Sequence, residues 1–202
     1  MLYYLLKPIA LFLCKIFFRI EVKGKENIPK KGGFILASNH LSNLDPVILG
    51  VACPRKLNFM AKDELFKIPI FSNFIRCLGA FPVKRETVSH STFKEVFKRL
   101  KQQKPIVIFP EGTRNPKGER IIPKAGIGFI IKYVSVPVVP AYIQGTDEAL
   151  GPHAKFIKPV KISVYFGKQI IIDDRNLSNN YIEIATRIMD SIRKIREDFK
   201  FN

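Results

Sequence analysis

Tryptophan is absent from this 202-residue chain, and cysteine occurs only as Cys14, Cys53 and Cys77. Three widely spaced thiols, none in a C-x-x-C pair, argue against a disulfide framework and a structural zinc site, and favour a reducing compartment. Acidic residues are scarce: 17 Asp and Glu against 34 Lys and Arg leave a net charge of +17. Such an excess calls for an anionic partner, whether nucleic acid, lipid head groups or a phosphorylated substrate, and charge alone does not choose among them. A long uncharged apolar run is also missing. In the most apolar stretch, 1–20, Lys7, Lys15 and Arg19 interrupt the pattern, and its longest neutral run after the start, 8–14, falls far short of the roughly 20 residues that span a bilayer. Nor do its charges precede an unbroken apolar core and a small-residue cleavage site, as in a secretory signal, so the segment is expected to stay on the mature protein.

What is present suffices for a folded core. A chain with 47% hydrophobic and 25% charged residues is too apolar for a disordered basic tail, and its length suits one domain. We expect residues 1–22 to form an N-terminal helical segment and 23–202 a single α/β domain. On a helix turning about 100° per residue, Lys7, Lys15 and Arg19 share an arc of about 120°, and Leu5, Ile9, Phe12, Ile16 and further apolar side chains fill the rest. A wide apolar face with a narrow cationic stripe suits a helix lying in a membrane interface, with Pro8 as a place for a kink. The alternative is a core helix with three snorkelling cations.

Beyond it, apolar runs rich in β-branched and aromatic residues at 33–38, 57–61, 80–83, 105–109 and 136–143 read as buried strands. Helices are expected at 45–53, with Pro46 in the first turn, at 89–103, where Phe93, Val96, Phe97 and Leu100 share a face, and near 125–134. Strands separated by helices imply parallel crossovers, and so an α/β fold with a mixed, largely parallel central sheet flanked by helices. Residues 160–166 alternate as a more exposed strand would. The segment 179–199 aligns Ile182, Ala185, Ile188, Met189, Ile192, Ile195 and Phe199 on one helical stripe.

Residues able to do chemistry sit where these strands end, which is where open α/β sheets bind ligands. His40 leaves the first strand, and Asp45 follows five positions later. With His40 in the loop and Asp45 in the next helical turn, the carboxylate can fold back onto one ring nitrogen and leave the other as a general base. Phe109 to Arg114 follows another strand, where Gly112 permits a tight turn with exposed amides and Arg114 can grip a phosphate in bidentate fashion. Lys62, Arg85 and Arg114 are three cations at strand ends, like His40. His90 and His153 read as solvated loop or cap residues. Cys53 and Cys77 have no base beside them and read as structural thiols rather than acyl-carrying nucleophiles.

Four blocks then match in order. They are the H-x-x-x-x-D pair from Asn39-His40 to Asp45, an aromatic-to-arginine block from Phe81 to Arg85, F-P-E-G-T-R from Phe109 to Arg114, and V-P-x-x-P from Val136 to Pro140. Over residues 33–143 the chain resembles the 1-acylglycerol-3-phosphate acyltransferases of the wider glycerophospholipid acyltransferase family. The second block departs from the pattern, since Pro82-Val83-Lys84 stands where many members have an Ile-Asp or Val-Asp step.

The resemblance implies transfer of a fatty acyl group from a thioester, acyl-CoA or acyl carrier protein, to the hydroxyl of lysophosphatidic acid, giving phosphatidic acid at the cytoplasmic face of a membrane, on whose lipid surface the protein sits as a peripheral or monotopic enzyme. It implies no metal and no bound cofactor. His40 would deprotonate the acceptor hydroxyl and Asp45 would hold the imidazole. Arg114, amides around Gly112 and Thr113, Lys62 and Arg85 would bind the phosphate. Glu111 would bind the glycerol part or orient the cations. Glycerol 3-phosphate or another lysolipid is the alternative acceptor. A nucleic-acid-binding module would interleave aromatic and basic residues on an exposed surface, whereas most of the 17 Phe fall in apolar runs, so nucleic acid is not an expected partner.

Overall fold

The computed structural model describes residues 2–83, 90–171 and 180–200, with no side-chain description for 199–200. Residues 84–89 and 172–179, which include Lys84 and Arg85, lie outside the described residues. Each expected strand forms: β2 (Ile35–Ser38), β3 (Asn58–Lys62), β4 (Ala80–Val83), β5 (Ile106–Ile108), β6 (Val138–Gln144) and β7 (Ser163–Phe166). A further short strand that patterning missed, β1 (Glu21–Lys23), straddles the expected boundary at residues 22 and 23 and pairs with β7. The sheet order is β1-β7-β6-β2-β5-β3-β4. The strands from β6 to β4 run parallel, and β7, antiparallel to β6, carries β1 in its own direction.

Because successive strand residues point to opposite faces, neighbours such as Ile35 and Leu36 feed two separate cores. On one face Leu36, Val139, Val164 and Phe166 pack against Ile48 and Leu49 of α2 (Asp45–Ala52) and against Cys14 and Phe18 of α1 (Leu2–Phe18). On the other, Ile35, Ala37 and Ile108 meet Val96 and Leu100 of α4 (His90–Lys101), Ile127 and Ile131 of α5 (Ala125–Tyr133), and Ile188 and Ile192 of α7 (Tyr181–Lys200). Each fully buried Ile or Leu contributes about 1.5–3 kcal/mol of burial free energy, so both faces anchor the sheet. The β2-α2-β3 and β3-α3-β4 crossovers step the same way across the sheet. Being right-handed, they place α3 (Pro69–Cys77) on the α1/α2 side, whereas β4-α4-β5 steps back and places α4 opposite.

Four details differ from the sequence reading. Strand β7 is buried along all four residues rather than half exposed, because it lies between β6 and β1 with a core on its α1/α2 side. In α7 the inward stripe begins at Ile184, one turn before Ile188, and leaves Ile182 outside. Helix α1 continues through Pro8, and its Lys7 does not join a solvent-facing stripe: it donates to the Cys53 carbonyl at the end of α2. Helix α3, with Pro69 at its start, carried no helical periodicity that pointed inward.

Candidate active site

Strand β2, the central strand, delivers His40 to the C-terminal end of the parallel strands, and α2 begins five residues later with Asp45 in its first turn. Asp45 is fully buried, and donors converge on it. Oδ2 accepts from His40 Nδ1 at 2.7 Å and from the amides of Leu41 at 2.6 Å and Ser42 at 2.8 Å, and Oδ1 accepts from the Thr146 hydroxyl at 2.5 Å. A carboxylate has only acceptors, so it can receive all four. With Nδ1–H committed to Asp45, Nε2 of His40 is left as the lone-pair nitrogen. The ring lies flat against Phe109, with centroids 4.1 Å apart and planes inclined by 15°, and about a tenth of the side chain is open to solvent. The expectation that Asp45 folds back onto the imidazole is met in geometry.

The loop after β5 closes on His40 from behind. Asn115 N–H donates to the His40 carbonyl at 2.6 Å, and His40 N–H donates to Glu111 Oε2 at 3.3 Å. Arg114 is thus one residue from a main-chain hydrogen bond to His40, and its side chain is exposed. Gly112 adopts φ +68°, and a Cβ there would stand 2.7 Å from Cγ of Lys124, so backbone conformation and space both call for glycine. Its own amide closes the turn onto the Phe109 carbonyl at 3.0 Å. That amide is therefore occupied, and among the described residues the neighbouring amides of Thr113 and Arg114 have no backbone carbonyl partner. Lys62 is exposed at the end of β3. Phe59 pairs with Val107, and Ala37 with Ile108. Lys62 therefore stands level with Asn39, two strand spacings or about 10 Å away across β5. Arg85 lies outside the described residues.

Glu111 does not share the surroundings of Asp45. It is buried, and desolvation pushes its carboxyl from the usual 4.5 to about 7, with hydrogen bonds from the His40 amide and the Asn115 side chain pulling the other way. Its outer side meets a cleft of about 700 Å³ lined by Asn39, Leu41, Tyr142, Met189 and Arg193. That cleft opens on the α7 side of β2, across the sheet edge from Asp45 and α2. His40 is not among the residues that line this cleft.

Patterning missed several residues that hold the loop. Thr146, which opens α6 (Thr146–Ala149), reaches Asp45 from 101 positions away. The Asn39 side chain both donates to the Ile143 carbonyl (2.9 Å) and accepts from its amide (2.8 Å), tying the end of β2 to β6. Phe109 belonged to a quoted motif, but its stacking could not be read from spacing. His90 and His153 are exposed. Cys53 is buried and its thiol is pushed up to about 11 by desolvation, which suits a structural thiol. Among the described residues no three His, Cys, Asp or Glu side chains gather as a metal site requires.

Comparison with known proteins gives a consistent result. The acyltransferase family profile matches residues 19–144. The chain is 38% identical over 127 residues to a Bacillus subtilis protein named 1-acyl-sn-glycerol-3-phosphate acyltransferase, a match spanning 62% of this chain and 63% of that protein. It is 33% identical to the Borreliella burgdorferi protein of the same name, over 95% of this chain and 76% of the relative. The crystal structure of the 1-acyl-sn-glycerophosphate acyltransferase PlsC from Thermotoga maritima superposes with a TM-score of 0.80 at 27% identity, covering 99% of this chain and 82% of that one.

Proposed function

The chain belongs to the acyltransferase family, and on that premise we propose that it moves a fatty acyl group from an acyl thioester to the free hydroxyl of 1-acyl-glycerol-3-phosphate, giving phosphatidic acid. The observation that carries this reading is the His40–Asp45 pair, bonded through Nδ1 at 2.7 Å so that Nε2 faces outward, joined by direct hydrogen bonds to the loop that bears Arg114. Nε2 takes the proton of the acceptor hydroxyl as the oxygen attacks the thioester carbonyl. The tetrahedral intermediate then collapses, the C–S bond breaks, and the thiolate leaves with the proton that His40 returns. Asp45 holds the ring in its tautomer and stabilises the imidazolium. No protein acyl intermediate is needed, because the acceptor brings its own nucleophile.

Arg114, the amides of Thr113 and Arg114, and Lys62 bind the acceptor phosphate, with Arg85 as a further cation. Such positioning supplies up to about 7–11 kcal/mol of the barrier reduction. Glu111 acts through the His40 main chain as a positioning residue. The donor is acyl-CoA or acyl carrier protein. Among the described residues no helix is long and apolar enough to cross a membrane. Leu5, Ile9, Phe12, Leu13 and Ile16 of α1 are nevertheless more than half exposed. This supports α1 as an interfacial helix resting on the cytoplasmic leaflet, where the lipid acceptor resides.

The test is purified protein with a radiolabelled acyl thioester and a panel of lysophosphatidate, glycerol 3-phosphate and neutral lysolipids. Label is expected in phosphatidic acid, and His40→Ala should abolish it while leaving lysophosphatidate binding largely intact. Label in a glycerol 3-phosphate product would reassign the acceptor, and substantial turnover by His40→Ala would reject the base.

A further inference from the structure

The β3–β4 crossover is built with its apolar side chains outward. In α3 the buried residue is Ser72, 7% exposed, while Ile70 is 87%, Phe71 40% and Phe74 42% exposed, and just before the helix Leu65 and Ile68 are 39% and 57% exposed. A surface helix of a soluble protein shows the reverse, with its apolar stripe inward and polar residues outside. Scattered exposed apolar residues need no explanation, but five within ten positions form a patch that calls for a partner. Arg76, itself exposed, covers Ser72: its Nε donates to Ser72 Oγ at 3.3 Å and its guanidinium lies over the Phe66 ring at 4.7 Å.

The position of this patch narrows the partner. Helix α3 lies on the same sheet face as α1 and α2, and a single side chain links the outer two helices. Lys56 Nζ donates to the Cys77 carbonyl at the end of α3 (2.7 Å) and sits 5.2 Å from the ring centroid of Tyr3 in α1. The start of α1 and the end of α3 are thus close on this face, and Val47 of α2, 56% exposed, stands on it too. Lys62 and Lys67 bracket Asp63 and Glu64 at the start of the crossover, where β3 ends level with the His40 loop. An apolar ridge on the same face as a helix that already presents Leu5, Phe12 and Ile16 matches the interface of a leaflet in hydrophobicity; at its rim Lys62, Lys67 and Arg76 outnumber Asp63 and Glu64, and the chain's net charge of +17 favours an anionic leaflet.

Building on the reading of α1 as an interfacial helix, we infer that residues 65–74 form a second lipid-contacting element. With α1 it seats the α1/α2/α3 face on an anionic bilayer and holds the His40–Asp45 end of the sheet at the head-group level. Two separated contacts fix the tilt of the domain, which one helix alone leaves free to roll. The acceptor then reaches His40 without leaving the leaflet.

The experiment uses the full chain and vesicles of phosphatidylcholine with about one third phosphatidylglycerol, comparing Ile70→Glu/Phe74→Glu, the conservative Ile70→Leu/Phe74→Leu and the α1 variant Phe12→Glu/Ile16→Glu. Each substituted side chain is exposed, so the fold should survive, as circular dichroism would show. Charge insertion in α3 should weaken vesicle partitioning at least about tenfold, the Leu pair should retain it, and turnover of a short-chain, freely soluble lysophosphatidate should be unchanged. If the α3 Glu variant partitions like wild type while the α1 variant is released, the second contact is refuted and the α1 reading stands. If neither is released, the membrane reading itself fails. A loss of turnover on the soluble acceptor would make the crossover part of the substrate site. A change in oligomeric state by gel filtration would make the occupant a second copy of the chain. Either result would overturn the inference.

Discussion

Two buried carboxyl groups flank the end of β2, and they are treated in opposite ways. Asp45, on the α2 side, is met by four donors from His40, Leu41, Ser42 and Thr146. Glu111, on the α7 side, is buried to a similar degree but receives the single His40 amide and the Asn115 side chain, and its carboxyl is pushed up to about 7. Burial alone therefore does not decide what a carboxyl can do at this site. The number of donors brought to it does. One side is built to meet the imidazole with a carboxyl oxygen shared among three N–H donors. The other holds the main chain of the same residue with a group poised to carry a proton.

The comparison is sharpest when each group is neutralised without changing its shape. Asp45→Asn can keep its carbonyl oxygen on the His40, Leu41 and Ser42 donors and turn its NH₂ to the Thr146 hydroxyl, which can accept, but it removes the negative charge that strengthens those bonds and stabilises the imidazolium formed during transfer. We expect kcat to fall by about 10³–10⁴-fold and urea stability to drop by about 3 kcal/mol. A residual rate within tenfold of wild type would show that the negative charge beside the ring is not what the chemistry needs. A smaller effect is expected at its far oxygen. Thr146→Val preserves volume but strips Oδ1 of its hydroxyl donor, leaving a buried acceptor unsatisfied at a cost of about 1–3 kcal/mol. Since His40 and the two amides remain on Oδ2, kcat should fall by no more than about tenfold, with KM for the acceptor little changed. Steady-state kinetics beside a denaturation curve separates the two effects.

How much of this was legible before folding depends on separation along the chain. His40 and Asp45 are five positions apart, so a loop entering a helix suffices to bring them together, and the pair could be read from residues 38–45. The parallel strands were legible because their apolar runs are bounded by helical stretches that force crossovers. Thr146 and Ile143, by contrast, reach Asp45 and Asn39 across 101 and 104 residues, and nothing local marks a threonine as the donor to a distant carboxylate. The inside-out α3 was missed for a related reason. Periodicity reports which side chains share a face, and only the packed sheet reveals whether that face is the core or the outside. Lys7 shows the same limit: its place in the cationic arc was readable, but its carbonyl partner at Cys53 was not. The buried state of Glu111 is also a product of assembly, since the surroundings that desolvate it come from β2, β6 and α7.

The smallest predicted effect tests the Glu111 side and has a pH signature. In the native chain its carboxyl titrates at about 7 rather than the usual 4.5, because burial disfavours the charged form. Between those values the folded protein holds a proton that the unfolded chain has already released. The folded state therefore binds more protons, and stability must fall as pH rises through this window, levelling off above about 7. Glu111→Gln keeps an oxygen to accept the His40 amide and has nothing to titrate. Activity should stay within about threefold of wild type, in contrast to Asp45→Asn. Urea midpoints should nearly coincide at about pH 4, and by about pH 8 the variant should be the more stable by up to about 3 kcal/mol. Parallel pH profiles for the two proteins would mean that Glu111 is solvated or better paired than its burial implies, and the contrast between the two sides of His40 would then rest on geometry alone.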